Sequence, residues 1–381
     1  MGRKFFIIGN PSTVWMREYI KEIHIKHKDR VYITVFDEST LLYEQSYEEL
    51  GVFLVPIGKN SSVLEKINKI IRLLKFAIKH RRDNRFDIIE IHYPPHSLQA
   101  YIISLVIRIM KTKTFIMFWG SDILDISPKD AKRLEHIIKA SDIINRPGES
   151  AYAAFVKHFG YKYEEFFTNT SLRFGTLALP YISKVLLNMQ KNECKKSLGL
   201  DPSKKSIAIG YNGRTRQQHL QALKAISELN KSEKKAIQLV YHLVGGTEEY
   251  KRKIALESQK SGFDYIIIDK MLDFEEIAIL RAATDLFLHA QTTDGLSGTI
   301  RECLYAGVTV VNPKWISYKE LKKIGIDYIE YNSFDELKDL VSHYINGDIS
   351  INTSKNKELI HKYYSWESLS KEWLEVFQEM K

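Results

Sequence analysis

Short apolar runs separated by longer amphipathic stretches follow one another along this chain, and midway the series begins again. In the first half the runs are Phe5–Ile8, Val31–Phe36, Val52–Pro56, Asp87–His92, Thr114–Trp119 and Asp142–Asn145. Helix-patterned segments lie between them, among them Trp15–His27, Leu64–His80, Leu98–Met110 and Lys129–Ala140. An unbroken apolar run suits a strand buried on both faces. Strands that alternate with helices pair in parallel, because each crossover helix returns the chain to the same edge.

The second series comprises strands at Ser206–Gly210, Ile237–Val244, Tyr265–Asp269, Asp285–Ala290, Val308–Asn312 and Tyr328–Tyr331. Its helices are Gln217–Leu229, Glu248–Lys260, Phe274–Ala283, Thr299–Ala306 and Ser317–Ile324. The 381 residues exceed one ordinary core and suit two domains of similar size. The pattern therefore predicts an α/β protein of two Rossmann-like, doubly wound parallel-sheet domains facing a cleft. The first is expected over residues 1–180 and the second over 181–363, with Pro180 as punctuation near the join.

A net charge of +9 points to an anionic partner: nucleic acid, an anionic membrane surface or a phosphorylated small molecule. No interleaved basic-aromatic motif of the nucleic-acid readers is present, so no nucleic acid is expected. Gly9-Asn10-Pro11-Ser12 lacks the full G-x-G-x-x-G of a dinucleotide site. The two cysteines, Cys194 and Cys303, make neither a disulfide framework nor a metal-ligand spacing. No apolar run approaches the roughly 20 residues of a membrane span, and none reads as a signal peptide. A cytoplasmic location is expected.

The stretch with the most chemical content is Asp294-Gly295-Leu296-Ser297-Gly298-Thr299-Ile300-Arg301-Glu302, followed by Gly307 and the run Val308–Val311. A strand runs into a small-residue loop and then into a helix. Gly295 and Gly298 let backbone approach a ligand, and first-turn amides hold a diphosphate. One turn into the helix, Glu302 can accept from two ribose hydroxyls. The same residues also permit a plainer reading, a Thr299–Glu302 capping box that only starts the helix.

The register of Asp294, Glu302 and Gly307 resembles the signature of retaining family 4 glycosyltransferases, which have the GT-B fold. That resemblance implies that Glu302 grips the nucleotide ribose and Asp294 contacts the transferring sugar. Gly295, Leu296, Ser297, Gly298 and Thr299 would then cradle the diphosphate. Asp294 stands where the family usually has Glu, Gly295-Leu296-Ser297 replaces Gly-Phe-Gly, and Thr309 replaces Pro. Gly213-Arg214 resembles the family's Gly-Arg after the first strand of the second domain. Arg216 and His219 stand near the usual Lys; Arg216 is expected to supply the second diphosphate cation and a neutral His219 one hydrogen bond. Gly120-Ser121-Asp122 resembles a family turn that faces the donor sugar and acceptor, with Trp119 in place of His; Asp122 is also an ordinary turn residue. His92 ends a strand and is expected beside a cleft.

Tyr364-Ser365-Trp366-Glu367 resembles the family's last helix, and residues 364–381 are expected to cross back onto the first domain. The resemblance implies transfer from a nucleoside diphosphate sugar to a glycan or lipid-linked acceptor in bacterial surface polysaccharide or glycolipid assembly, without metal or cofactor. Residues 66–85 form a basic segment with interspersed apolar residues, which suits either an anionic membrane face or a solvated crossover helix. The alternatives are a nucleotide-sugar epimerase of the same fold and a non-catalytic basic binding protein.

Overall fold

The computed structural model describes the chain apart from residues 1, 37–40, 42, 59–61, 84–85, 125 and 381 and the side chains of Val63, Ser121 and Ser150. Arg85 and the Ser121 side chain, both singled out above, lie outside this description. Two compact units are present. Unit 1 is residues 1–174 with 369–381, and unit 2 is residues 175–368. The join thus precedes Pro180, which lies within a helix, Leu179–Asn188, of unit 2.

Unit 1 holds β1 (Lys4–Ile8), β2 (Arg30–Val35), β3 (Phe53–Pro56), β4 (Ile88–His92), β5 (Lys113–Met117) and β6 (Ile143–Ile144). They form one sheet in the order β3-β2-β1-β4-β5-β6, parallel throughout. Unit 2 holds β7 (Lys205–Ile209), β8 (Ile237–His242), β9 (Asp264–Ile268), β10 (Leu286–Leu288), β11 (Thr309–Pro313) and β12 (Ile329–Tyr331). Its order is β12-β11-β10-β7-β8-β9, again all parallel. Each sheet reverses its winding direction once, between β1 and β4 and between β7 and β10. There the loops diverge and leave a crevice at the carboxyl ends, where open α/β sheets bind ligands.

The helices used below are α1 (Val14–Tyr19), α2 (Val63–Arg82), α3 (Gln99–Met110), α4 (Phe274–Ala283), α5 (Gly298–Tyr305) and α6 (Trp366–Glu379). The expected helix Trp15–His27 is instead α1 followed by a π turn, Ile20–His24, and a short 3₁₀ turn, Ile25–His27. Lys28 then takes φ 62°, which no helix continues. The π turn ends on His24, which is wholly buried.

The inner strands are apolar because both their faces are covered, whereas the edge strands β3 and β9 stay partly exposed. Glu90 breaks the rule: it is fully buried in mid-β4, opposite Ile7 of β1 and Phe115 of β5. Helix α6 begins in unit 2 and from Leu369 onward belongs to unit 1. Its Trp373 and Phe377 are wholly buried against Tyr19, Phe5 and Phe115. The Trp373 indole N–H donates to the Arg173 carbonyl at 2.9 Å. Trp373→Ala therefore removes both a large apolar filler and a satisfied donor. It is expected to destabilise unit 1 by about 3–5 kcal/mol, read from the urea denaturation midpoint.

Candidate functional site

In unit 2 the loops after β7, β8 and β10 converge. The loop after β7 begins at Gly210, which takes φ 65°; a side chain there would strike the His219 ring. Gly213 has a different reason to be glycine. A Cβ on it would stand 2.2 Å from the Leu243 carbonyl oxygen and 2.7 Å from Gly246. Its N–H donates to the Val244 carbonyl at 2.9 Å, so the two loops touch through bare backbone. The β7 loop is also tied to the β10 loop. Thr292 N–H donates to the Arg216 carbonyl at 3.0 Å, Gln218 donates to the Ala290 carbonyl at 2.7 Å, and the Gln217 and Gln291 amides pair. This leaves the Arg214 and Arg216 side chains exposed, with no carboxylate partner among the described residues.

The β10 loop carries Asp294 into α5. Gly295 faces open space, and Leu296 takes φ 68°, a left-handed conformation that costs a residue with a side chain about 1–2 kcal/mol. Asp294 holds the turn: one oxygen accepts from Ser297 N–H at 3.2 Å and from the Tyr318 hydroxyl at 2.5 Å. His289 stands 3.8 Å from that oxygen. Its Nδ1 meets Asn312 Oδ1 at 2.8 Å, and the Asn312 amide donates to the Pro313 and Ile316 carbonyls. Since that amide nitrogen is committed as a donor, Oδ1 must accept, and the His289 proton sits on Nδ1. Burial lowers the His289 pKa and favours this neutral form.

Ser297 is the N-cap of α5 but its side chain caps no amide, which leaves the first-turn N–H groups uncapped by it. The Thr299–Glu302 capping box does not form. The Glu302 carboxylate accepts at Oε2 from Arg281 of α4 at 3.1 Å, and Arg281 also donates to Thr299 Oγ1 at 3.2 Å. Glu302 is thus mostly buried, with 11% of its side chain exposed and Oε1 left over from the ion pair. Deleting the carboxylate alone would strand a buried guanidinium, so Glu302→Ala cannot leave the fold untouched as a surface residue would.

Two expectations are corrected by placement. His219 is not a loop donor open to a ligand. It is wholly buried as the first residue of an inward helix, set there by Gln218 at φ 53°, and burial pushes its pKa down to about 4. Asp122 is likewise no open cleft carboxylate. It is fully buried, and it accepts from the N–H groups of Trp119 at 3.0 Å and Gly120 at 2.8 Å. Burial raises its pKa to about 6 against the pull of those N–H bonds. Its work is to shape the turn that presents Trp119.

Unit 1 has its own opening where β1 and β4 diverge, a cavity of about 640 Å³. Gly9–Thr13, His92–Ser97 and Trp119 line it. His92 Nε2 meets Glu90 Oε2 at 2.9 Å, and Tyr19 donates its hydroxyl to the same oxygen at 2.8 Å. On the other oxygen His24 Nε2 stands at 3.2 Å, and its Nδ1 is 3.5 Å from Asp29. Burial opposes ionisation of Glu90, but the charge of His24 and the bonds from both histidines override it and hold the carboxyl down at about 2. Burial also works against a charged His24, yet Glu90 and Asp29 outweigh it and raise its pKa. Sequence reading found His92 but not this network. Glu90 lies inside an apolar run, and nothing local marks His24 or Asp29 as its neighbours.

The surface of unit 1 carries a second feature. On α2, Leu64, Ile67, Ile71 and Ile78 are exposed along one side among exposed Lys66, Arg72, Lys75, Lys79, Arg81 and Arg82. Lys69 is the exception, buried with its ammonium on the Phe36 carbonyl. The neighbouring α3 exposes Tyr101 and Leu105, with Leu98 just before it. Among the described residues no helix is long and apolar enough to cross a membrane.

No protein-family model matches this chain, and no curated protein sequence matches it significantly. Its likeness is to solved structures. HepE of Anabaena, crystallised in complex with UDP, aligns with a TM-score of 0.73 at 13% identity, covering 100% of both chains. A glycosyltransferase from Rickettsia africae aligns at 0.73 and 12% identity, over 100% of this chain and 98% of that one. UDP-GlcNAc 2-epimerase from Neisseria meningitidis, bound to UDP-GlcNAc, aligns at 0.63 and 14% identity over 100% of both. The architecture is therefore GT-B: two six-stranded parallel α/β units, as the sequence pattern predicted.

The histidine–carboxylate network sets a pH window for unit 1. The lowered Glu90 pKa contributes stability that is complete above its ordinary value of 4.5 and is lost as pH falls through about 2. The raised His24 pKa contributes stability that is complete below its ordinary value of 6.5 and is lost as pH rises through the folded value. Urea denaturation of unit 1 is expected to show greatest stability between these ordinary values and a decline on either side. Glu90→Gln should flatten the acid arm.

Proposed function

We propose that this chain is a glycosyltransferase that moves a sugar from a nucleoside diphosphate sugar to an acceptor hydroxyl with retention of anomeric configuration. The observation that carries the reading is the β10 loop and α5 of unit 2. A helix start uncapped by its own N-cap side chain follows a loop with open space at Gly295, and that loop is hydrogen-bonded to the segment bearing the unpaired Arg214 and Arg216. Helix amides and guanidinium groups together suit a diphosphate. Glu302 Oε1 is assigned to the ribose, and Asp294 to the transferring sugar. The likeness to HepE, which was crystallised with UDP and with UDP-glucose, supports the donor class.

In this scheme the acceptor oxygen forms a bond to the anomeric carbon while the carbon–oxygen bond to the diphosphate breaks. The electron pair leaves on the diphosphate, whose oxygen takes the acceptor proton. Arg214, Arg216 and the α5 amides stabilise the charge that develops there. The transferred group is a hexosyl or N-acetylhexosaminyl unit, and the acceptor is a glycan or glycolipid of a surface polysaccharide, worked on in the cytoplasm. Calorimetry with UDP, GDP and dTDP in EDTA is the direct test. At least one is expected to bind, and Glu302→Gln to weaken that binding about tenfold or more, as loss of a charge-assisted hydrogen bond does. Arg214→Ala should lower turnover about 100-fold. Absence of binding by all three nucleotides would overturn the scheme. Conversion of UDP-GlcNAc to its 2-epimer without any acceptor would favour the epimerase reading that the Neisseria likeness keeps open.

The exposed aliphatic row on α2, set among six exposed cations, suits an anionic lipid surface at the inner membrane face. The full chain is expected to co-sediment with phosphatidylglycerol vesicles and not with phosphatidylcholine vesicles. The double substitution Ile67→Glu, Ile71→Glu should abolish the difference. Equal sedimentation with both lipids would remove this partner.

A further inference from the structure

Glu302 is a buried carboxylate that spends only one of its oxygens. Arg281 Nε and Nη2 both stand 3.1 Å from Oε2, and Nη2 also donates to Thr299 Oγ1 at 3.2 Å. Arginine–carboxylate pairs commonly run side by side, with one N–H to each oxygen. Here both nitrogens converge on Oε2. Oε1 accepts from no described residue and keeps contact with solvent. Asp285 of the same unit shows what a structural carboxylate does instead. Its side chain is 14% exposed against 11% for Glu302, yet both its oxygens are taken: Oδ1 by Lys191, and Oδ2 by Lys195 and the Ser206 N–H. An acceptor left open beside a saturated one, at the same depth, points to a donor from outside the chain.

The arrangement depends on a guanidinium. Arg281 lies in the last turn of α4, where the helix dipole favours a cation, and it is buried. Its planar fork meets Oε2 through two nitrogens and Thr299 through one of them. One rigid group thus fixes the rotation of the carboxylate and holds the first turn of α5. A lysine ammonium is a point charge with freely turning donors. It could attract the carboxylate without deciding which oxygen it holds.

We propose that Arg281 is a positioning residue of the nucleotide site: by occupying Glu302 Oε2 it leaves Oε1 as the oxygen that accepts from a ribose hydroxyl. The assignment rests on the reading of unit 2 as a nucleotide-sugar site. It adds that ribose recognition is lost with the guanidinium as well as with the carboxylate.

The test is calorimetry on the full chain with whichever of UDP, GDP and dTDP binds. Each is compared with its form lacking a sugar hydroxyl: 2′-deoxy and 3′-deoxy for UDP and GDP, 3′-deoxy for dTDP. In the wild-type chain, loss of at least one hydroxyl should weaken binding about tenfold, the scale of a hydrogen bond to a charged group. Arg281→Lys keeps the charge and should bring that ratio close to unity. A purely structural Arg281 would instead weaken parent and deoxy nucleotides alike and leave the ratio as it was. In Glu302→Gln, Arg281 should take the amide oxygen and leave an NH₂ donor at the free end, so the ratio is lost there too. Adding Arg281→Lys to that variant should change it no further. A ratio that survives Arg281→Lys overturns the proposal and leaves the transferase reading standing. Equal binding of parent and deoxy nucleotides by the wild-type chain also overturns it, and that result needs no variant that folds. Conversion of UDP-GlcNAc to its 2-epimer without acceptor, with a ratio that Arg281→Lys removes, would sink the transferase reading and leave this assignment in place. Binding by none of the three nucleotides overturns both.

Discussion

Every loop that carries chemistry here leaves the carboxyl end of a parallel strand, because each crossover must bring the chain back to the opposite end before the next strand can pair. Winding first one way and then the other parts the loops at one place in each sheet, between β1 and β4 and between β7 and β10. The unit 1 cavity lies at the first of these places, and the Gly210–Gln218 and His289–Ser297 loops lie at the second. Neither location is chosen by the side chains that occupy it. Topology sets the position, and the side chains decide only what can be bound there.

What they decide differs between the units. In unit 2 the invested features are positive or donating: two exposed guanidiniums, the first-turn amides of α5, and bare backbone at Gly213, where two loops touch, and at Gly295, which faces open space. The strained Leu296 is tolerated because Asp294, Ser297 and Tyr318 hold the turn around it. In unit 1 the charge is all behind the cavity wall. Glu90, His24 and Asp29 pair within the interior, with Arg3 4.0 Å from Asp29, and what reaches the opening is imidazole, indole and proline.

The sheets were legible because a strand covered on both faces must be apolar throughout, and Phe5–Ile8 or Thr309–Val311 admit no other reading. The same rule hid Glu90, since one carboxylate in Ile88–His92 does not disturb an apolar run. Local motifs located loops well and side-chain directions poorly. His219 follows Arg214 in a basic stretch, yet a single residue at positive φ, Gln218, turns it into the core. Asp122 has the look of a cleft acid, yet two adjacent N–H groups claim it. The π turn that ends on His24 carries no recognisable signature, and so the expected Trp15–His27 helix was too regular.

Glu302 is where motif and packing meet most closely. Its partner Arg281 lies 21 residues earlier on α4, a distance at which no local pattern speaks. Arg281 pairs with this carboxylate, and by taking Oε2 it fixes which oxygen remains. Arg281 in turn reaches Thr299, in the first turn of the same helix, so one guanidinium orients both the carboxylate and the helix start. The ion pair therefore ties α4 to the start of α5 and leaves Glu302 Oε1 as the oxygen outside it.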